Sequence, residues 1–257
     1  MKTALKAFLL RLRGYVNRAR VGTARAPRFA GVFADHASAL ASLPADRRAG
    51  YDDAVVAPVS FPQMCQVVPW DYPVLFWLDR EIGTARTLLD AGGHFGTKYI
   101  AFSSRLAVER LTWTVYDLPA IIRAAKTAQS DGQVPAEIIF SDRINGIGVP
   151  DILLASGLLQ YLDVPFSGLL ENIDGKPKTV LLNKVAMRDG PSIVTLELIG
   201  PNRVPYHIRN RAAFEAEILR AGYRIQDSWK IPELAHVVAT HPWLGPSESR
   251  GYLLKML

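Results

Sequence analysis

The feature that most constrains the fold of this sequence lies between residues 86 and 160. There, short apolar runs alternate with stretches of helical character, and each run ends on a glycine, a serine or an aspartate. Thr87-Leu88-Leu89 reads as a buried strand that feeds the turn Asp90-Ala91-Gly92-Gly93-His94-Phe95-Gly96. A helix is expected from about Thr97 to Val108. A second strand follows over Leu111–Tyr116, closed by Asp117, and Pro119 is well placed in the first turn of a helix running to about Ala128. Glu137–Phe140, Ile152–Ala155 and Thr179–Ala186 read as the third, fourth and fifth strands. Strands separated by helices pair in parallel and take helices on both faces. The expected fold is therefore α/β: Rossmann-like, doubly wound, with a mostly parallel seven-stranded sheet.

The rest of the chain is fitted around that core. Ser192–Ile199 interrupts the alternation and suggests an inserted hairpin. Asn210 is placed to cap a helix through Arg220 that stops at Gly222, and Tyr223–Trp229 with Tyr252–Met256 close the sheet. Upstream, an N-terminal helical extension is expected. Residues 2–20 carry Leu5, Phe8, Leu9, Leu12 and Val16 at helical spacing, a second helical patch spans Asp35–Ala41, the stretch 53–70 is broken by prolines, and Asp71–Ile82 has helical character. This divides the chain into a basic helix and linker (1–30), a helical and irregular extension (31–85) and a Rossmann-like domain (86–257).

Charge separates the same parts. The formal net charge is +6, but residues 1–30 hold eight Lys and Arg and no acid, which leaves the remainder at −2. A near-neutral body argues against a general nucleic-acid surface, and no nucleic-acid partner is expected. An anionic membrane surface is a candidate partner for residues 1–20, and packing of that helix on the body or on a second subunit is the alternative. No secretory signal is expected, because only Ala7-Phe8-Leu9-Leu10 precedes Arg11. The longest uncharged early run, Ala54 to Trp70, contains three prolines and does not suit a spanning helix. The expected setting is the cytoplasm, at a membrane surface if the basic helix engages one. Cys65 is the single cysteine, so no internal disulfide can form.

In an open α/β sheet, ligands bind beyond the carboxyl ends of the strands. Four polar elements fall there: the Asp90–Gly96 turn, Asp117, Asp142 and Ser156-Gly157. Each alone is explicable as a turn, but in this order they suit a nucleoside. Gly92, Gly93 and Gly96 allow close backbone approach. Asp117 follows Gly96 by 21 residues, where a carboxylate can accept from both ribose hydroxyls, and Asp142 is placed to accept from an adenine amino group. A nicotinamide dinucleotide fits less well. Its G-x-G-x-x-G frame would begin at Ala91, and a carboxylate at the turn repels a pyrophosphate but not a sulfonium ligand bearing an ammonium. His236 and His241 do not form a metal set, since no cysteine or carboxylate pair completes one, and no metal is expected.

The segments Asp90–Gly96, Val115-Tyr116-Asp117-Leu118-Pro119 and Ile152-Leu153-Leu154-Ala155-Ser156-Gly157-Leu158-Leu159-Gln160-Tyr161 resemble motifs of class I methyltransferases of the small-molecule O-methyltransferase type. The wider pattern is similar to an uncharacterised bacterial group of methyltransferases, on Gly31-Val32-Phe33, Gly50-Tyr51-Asp52 and Gly222-Tyr223 through Asp227-Ser228-Trp229. The resemblance spans about residues 30–257. It implies S-adenosylmethionine as cofactor and S-adenosylhomocysteine as product. Asp90, Gly92 and Gly93 would face the methionine part, Asp117 the ribose, Leu118 and Asp142 the adenine, and Ser156 the sulfonium.

Two departures from that pattern matter. His94 replaces a glycine of the turn, and Gln160 stands where those O-methyltransferases carry a catalytic histidine. Glutamine takes no proton, so a base must come from elsewhere, or the substrate needs none, or the protein only binds. His207 is one candidate base, with a surface histidine in a loop as the other reading. Tyr161 either orients a substrate or packs as an ordinary aromatic. Asn183 and Lys184 either line the pocket or end a strand. The expected activity is methyl transfer to a small-molecule or glycan-type hydroxyl or amine. The alternatives are a non-catalytic S-adenosylmethionine-binding or partner-binding protein and, less favoured, a nicotinamide-dependent oxidoreductase. The sequence specifies neither the acceptor nor an oligomeric state.

Overall fold

The computed structural model describes residues 2–44, 61–200 and 202–257. The Gly50-Tyr51-Asp52 motif and the first part of the 53–70 stretch lie outside the described residues. Helix α1 (Lys2–Arg20) and a linker lead to β1 (Phe29–Phe33), and α2 (His36–Ala41) follows, with Asp35 accepting from the Ser38 amide at its N-terminus. After α3 (Phe61–Met64) and α4 (Tyr72–Ile82) the alternation begins: β2 (Thr87–Ala91), α5 (Thr97–Phe102), β3 (Thr112–Tyr116), α6 (Pro119–Ser130) and β4 (Ile139–Ser141). It continues through β5 (Ile152–Ser156), α7 (Phe166–Glu171) and β6 (Thr179–Arg188). A hairpin of β7 (Ile193–Ile199) and β8 (Asn202–Asn210) precedes α8 (Arg211–Arg220), β9 (Tyr223–Lys230) and β10 (Glu248–Met256).

Strands β4, β3, β2, β5 and β6 lie side by side in that order, all parallel. Strand β10 then pairs antiparallel with both β6 and β9, so these seven strands make the expected Rossmann-like sheet. Three more bring the total to ten. Strand β1 pairs antiparallel with β7, β7 with β8, and the end of β8 joins the end of β6 at Met187↔Arg209. The hairpin legible at Ser192–Ile199 thus captures a strand from the N-terminal extension, which sequence patterning did not show.

Packing follows from residue alternation. Leu88 and Leu89 point to opposite faces of β2. Leu88 joins Leu78, Phe102, Trp113 and Ile121 in one core, and Leu89 joins Leu153, Phe166, Phe214 and Tyr252 in the other. Strand β5 is apolar at every position from Ile152 to Ala155 because both of its faces are covered. Asn210 accepts from the Ala213 amide at the start of α8, and Pro119 occupies the first turn of α6. Helix α5 is shorter than the expected span to Val108. It stops at Phe102, where Ser103 follows and turns its hydroxyl back onto the Ile100 carbonyl, an alternative to continuing the helix. Beneath α5 the Lys98 ammonium donates to both oxygens of the fully buried Asp71 carboxylate at 2.8 and 2.7 Å, fastening the helix to the turn before α4.

Candidate functional site

The turn after β2 is held by its own stereochemistry. Gly92 and Gly96 take positive φ values of 74° and 73°, a region in which a side chain is strained. The Gly92 amide donates to the Tyr116 carbonyl at 2.8 Å, locking the turn to β3. A methyl group on Gly93 would sit 2.6 Å from the Asp90 carboxyl, so only glycine lets the chain cross that carboxyl. His94, the residue foreign to the pattern, also takes a positive φ of 57°, so the turn keeps its shape without the glycine.

The acidic residues differ in environment. Asp90 is buried under the turn, accepts from the Trp113 indole N–H at 3.3 Å, and is pushed up to about 7 by burial. Asp117, at the end of β3, accepts from the His94 amide and the Leu118 amide at 2.8 Å each. It therefore ties the glycine turn to the next strand. Asp142 is exposed beyond β4, where the Ser141 hydroxyl closes a local turn onto Arg143, and it lines neither cavity at the sheet edge.

A cavity of about 420 Å³ opens at the carboxyl ends of β2, β3 and β5. Gly92, His94, Asp117, Leu118, Ser156 and Gln160 line one side of it. A second cavity of about 240 Å³ lies beside it and shares Trp70, Gly92, Ser156 and Lys184, adding Asp90, Gly93 and Lys98. The fold thus brings Asp90, Gly92, Gly93, Asp117, Leu118, Ser156, Gln160 and Tyr161 to one connected region. Gly96 shapes the turn from outside the lining, where Ile138 fills the space a side chain would need. Among the described residues no group of three or more His, Cys, Asp or Glu could hold a metal ion.

The opposite wall comes from the antiparallel addition. Phe29, Tyr161, Tyr206 and His236 form an aromatic box. His236 stacks on Phe29 at 3.8 Å, and Tyr206 stands edge-on to Phe29, Tyr161 and His236 at 5.0, 5.5 and 5.2 Å. The Tyr161 hydroxyl donates to the Glu197 carboxylate at 2.7 Å, and Arg28 donates to the other Glu197 oxygen at 2.9 and 2.6 Å. A buried carboxylate held by arginine therefore fixes the Tyr161 ring. His236 has its imidazole pushed down to about 4 by burial, which keeps it neutral.

His207 stands elsewhere. It belongs to strand β8 and not to a loop. Alternation sends Tyr206 to the cavity and His207 to the far face, where it meets His36 edge-on at 6.1 Å. Burial pushes its imidazole down to about 4.

Lys184 reaches the site through a bulge. Between Leu182↔Tyr252 and Val185↔Arg250, two residues of β6 face the single Gly251 of β10, and Lys184 adopts a positive φ of 60°. A bulge re-aims side chains in this way, and Lys184 lines both cavities. Its ammonium makes no hydrogen bond or ion pair with the described residues, and burial pushes it down to about 8. Its neighbour Asn183 is spent on structure, donating to the Trp70 carbonyl and accepting from the Trp229 indole.

Four buried polar atoms on residues lining the larger cavity have no partner among the described residues: Trp70 Nε1, Ser156 Oγ, Gln160 Oε1 and His236 Nε2. Such atoms are scarce in folded proteins, and a group of them around one cavity is free to bond water or a ligand there.

No family model and no curated protein sequence matches the chain. Solved structures do match its fold. The glycopeptide N-methyltransferase MtfA complexed with S-adenosyl-L-methionine superimposes with a TM-score of 0.50 at 13% identity, covering 78% of this chain and 100% of that one. The N-terminal domain of EvdMO1 with S-adenosylhomocysteine bound gives 0.51 at 13% identity, covering 74% and 83%. Human N-acetylserotonin methyltransferase in complex with S-adenosylmethionine gives 0.51 at 17% identity, covering 80% of this chain and 57% of that one. The chain has the Rossmann-like methyltransferase fold.

Proposed function

We propose that this protein transfers a methyl group from S-adenosylmethionine to a small-molecule or glycan-type acceptor. The carrying observation is the 420 Å³ cavity, bounded on one side by the glycine turn and Asp117, with four buried polar atoms around it that have no partner among the described residues. On this reading Asp117 accepts from the ribose hydroxyls, and Leu118 covers the adenine. Gly92, Gly93 and Asp90 meet the methionine part, whose ammonium suits a carboxyl poised between charge states. Ser156 lies at the sulfonium. The aromatic box of Phe29, Tyr161, Tyr206 and His236 receives the acceptor, since flat ring faces pack well on planar molecules and on sugars. The adenine role read for Asp142 finds no support in its exposed position.

Methyl transfer from a sulfonium is an in-line displacement that needs little from the protein beyond alignment. Gln160, buried at the cavity between the two walls, is an orienting residue that can accept from an acceptor N–H or O–H but takes no proton. His207 faces away and supplies no base. A binding-only role remains the second reading, favoured by the glutamine at position 160.

Calorimetric titration with S-adenosylhomocysteine, S-adenosylmethionine and NADH tests the proposal. Binding of both adenosyl ligands and none of NADH is expected. Binding of NADH alone, or of no nucleoside at all, would overturn it. Release of S-adenosylhomocysteine with any aromatic or saccharide acceptor separates catalysis from binding.

A further inference from the structure

Helix α1 has an unusual placement. It is pinned to the body along one side only. Gly14 is buried, and a side chain there would meet the Trp243 ring at 2.8 Å and the Thr240 carbonyl at 2.9 Å. Next to it, the Asn17 amide donates to the Ala239 carbonyl at 3.0 Å. An α-helix turns about 100° per residue, which puts Leu5, Phe8, Leu9, Leu12, Tyr15 and Val16 on an arc of roughly 120° opposite Gly14. All six are exposed, by 43% to 64%. The apolar stripe therefore does not pack on this chain's described residues; it points away from them.

Cations border the stripe on both sides. By the same rotation Lys6, Arg13 and Arg20 follow one edge, and Arg11 and Arg18 lie beyond the other; all five are exposed, and Arg18 also reaches the His241 ring at 3.2 Å. No acid occurs anywhere in residues 1–30. An apolar arc between two rows of cations is the arrangement of a helix that lies flat in the headgroup region of a bilayer, apolar side inward and cations at the phosphate level. No helix among the described residues is long and apolar enough to cross a membrane.

We infer that α1 docks the protein on an anionic lipid surface, with its Leu5–Val16 face in the bilayer interface and the body held above it through Gly14 and Asn17. A second copy of the chain is a poorer occupant. Pairing two such faces would bring two sets of cations together without one acidic partner on either helix, a repulsion that lipid phosphates and carboxylates reverse.

The docked helix also has a structural consequence for the site. The loop that holds α1, residues 239–243, continues directly from Glu233–His236, which line the cavity on the acceptor side. The opening beside the aromatic box is thus set one short loop and one helix thickness, about 10 Å, from the lipid surface.

Sedimentation of the full chain with vesicles tests the inference. Co-sedimentation is expected with phosphatidylcholine vesicles containing phosphatidylserine at low salt. Partition should drop at least about tenfold with phosphatidylcholine alone, and also on raising salt toward 1 M, where the screening length shrinks to about 3 Å. The double variant Phe8→Glu/Leu12→Glu should stay folded by circular dichroism, because both side chains are exposed, yet lose vesicle binding. The pair Arg11→Gln/Arg13→Gln should weaken it about tenfold or more. Vesicle binding that survives Phe8→Glu/Leu12→Glu would overturn the inference. So would a full chain that ignores anionic vesicles and sediments as a dimer that the same variant makes monomeric. None of these readouts depends on cofactor binding, so the inference stands or falls apart from the methyl-transfer proposal.

Discussion

Replacing Asp90 with asparagine should make the protein more stable, and increasingly so as the pH rises. The carboxyl is 1% exposed, and burial lifts it from an ordinary value of 3.8 to about 7. Between those values the folded chain keeps a proton that the unfolded chain has released. Stability therefore falls with rising pH across that window and levels off above it. Each unit is worth about 1.36 kcal/mol, so the full loss is about 4 kcal/mol, of which about 2 falls between pH 5.5 and 8.5. Asparagine carries no charge at any of these values and keeps an oxygen for the Trp113 indole. Urea unfolding followed by tryptophan fluorescence at pH 5.5, 7.0 and 8.5 should show Asp90→Asn gaining on the parent by about 2 kcal/mol over the series. A difference independent of pH, or a parent that gains on the variant at high pH, would refute the reasoning. On the functional proposal, the ligand ammonium favours the carboxylate. Binding at pH 6 should then release a proton, seen as a buffer-dependent heat that disappears in Asp90→Asn.

Three other expectations follow from the same geometry. Lys98→Met strands the buried Asp71 carboxylate and should cost about 3–5 kcal/mol, with Asp71→Leu/Lys98→Met recovering most of it; a loss under about 1 kcal/mol would contradict the pair's role. Asp117→Ala removes a charged acceptor worth about 1.5–3 kcal/mol and should weaken S-adenosylhomocysteine roughly ten- to hundredfold in a calorimeter, the protein remaining folded. His207→Ala should leave any pH–rate profile unchanged, because the side chain faces His36 and not the cavity, and an ionisation lost in that variant would reinstate it as a base.

The glycine-turn side of the cavity was legible because its signals are local. The apolar run into Asp90–Gly96 dictates a buried parallel strand and a tight turn, and the 21-residue spacing to Asp117 measures one helix and one strand. The aromatic wall opposite was not legible, because it is made by distant pairings. Phe29 lies in a strand whose partner is in β7, and nothing near Phe29 announces that. His207 attracted notice as a histidine, but one residue of register decides that Tyr206 faces the cavity instead. His236 sits in a loop without periodicity or motif, and its place comes from ring contacts with Phe29 and Tyr206 and backbone bonds to Ser247. Lys184 was visible as a strand-end residue, while the bulge that turns it inward depends on Gly251. Asp142 lies exposed outside both cavities because β4 ends one residue earlier, at Ser141, whose hydroxyl closes a local turn onto Arg143.

The pairing of Phe29 with Glu197 also sets an order of assembly. At about 5–20 residues per second, β1 leaves the ribosome roughly 8–30 s before β7 exists to receive it. All of β2 to β6 emerges in between, so the five parallel strands can pair while the aromatic wall has no strand to stand on. During that interval the edge of β6 that β10 later covers is open. A ligand that binds only these paired strands would stabilise them by mass action before the rest of the sheet arrives.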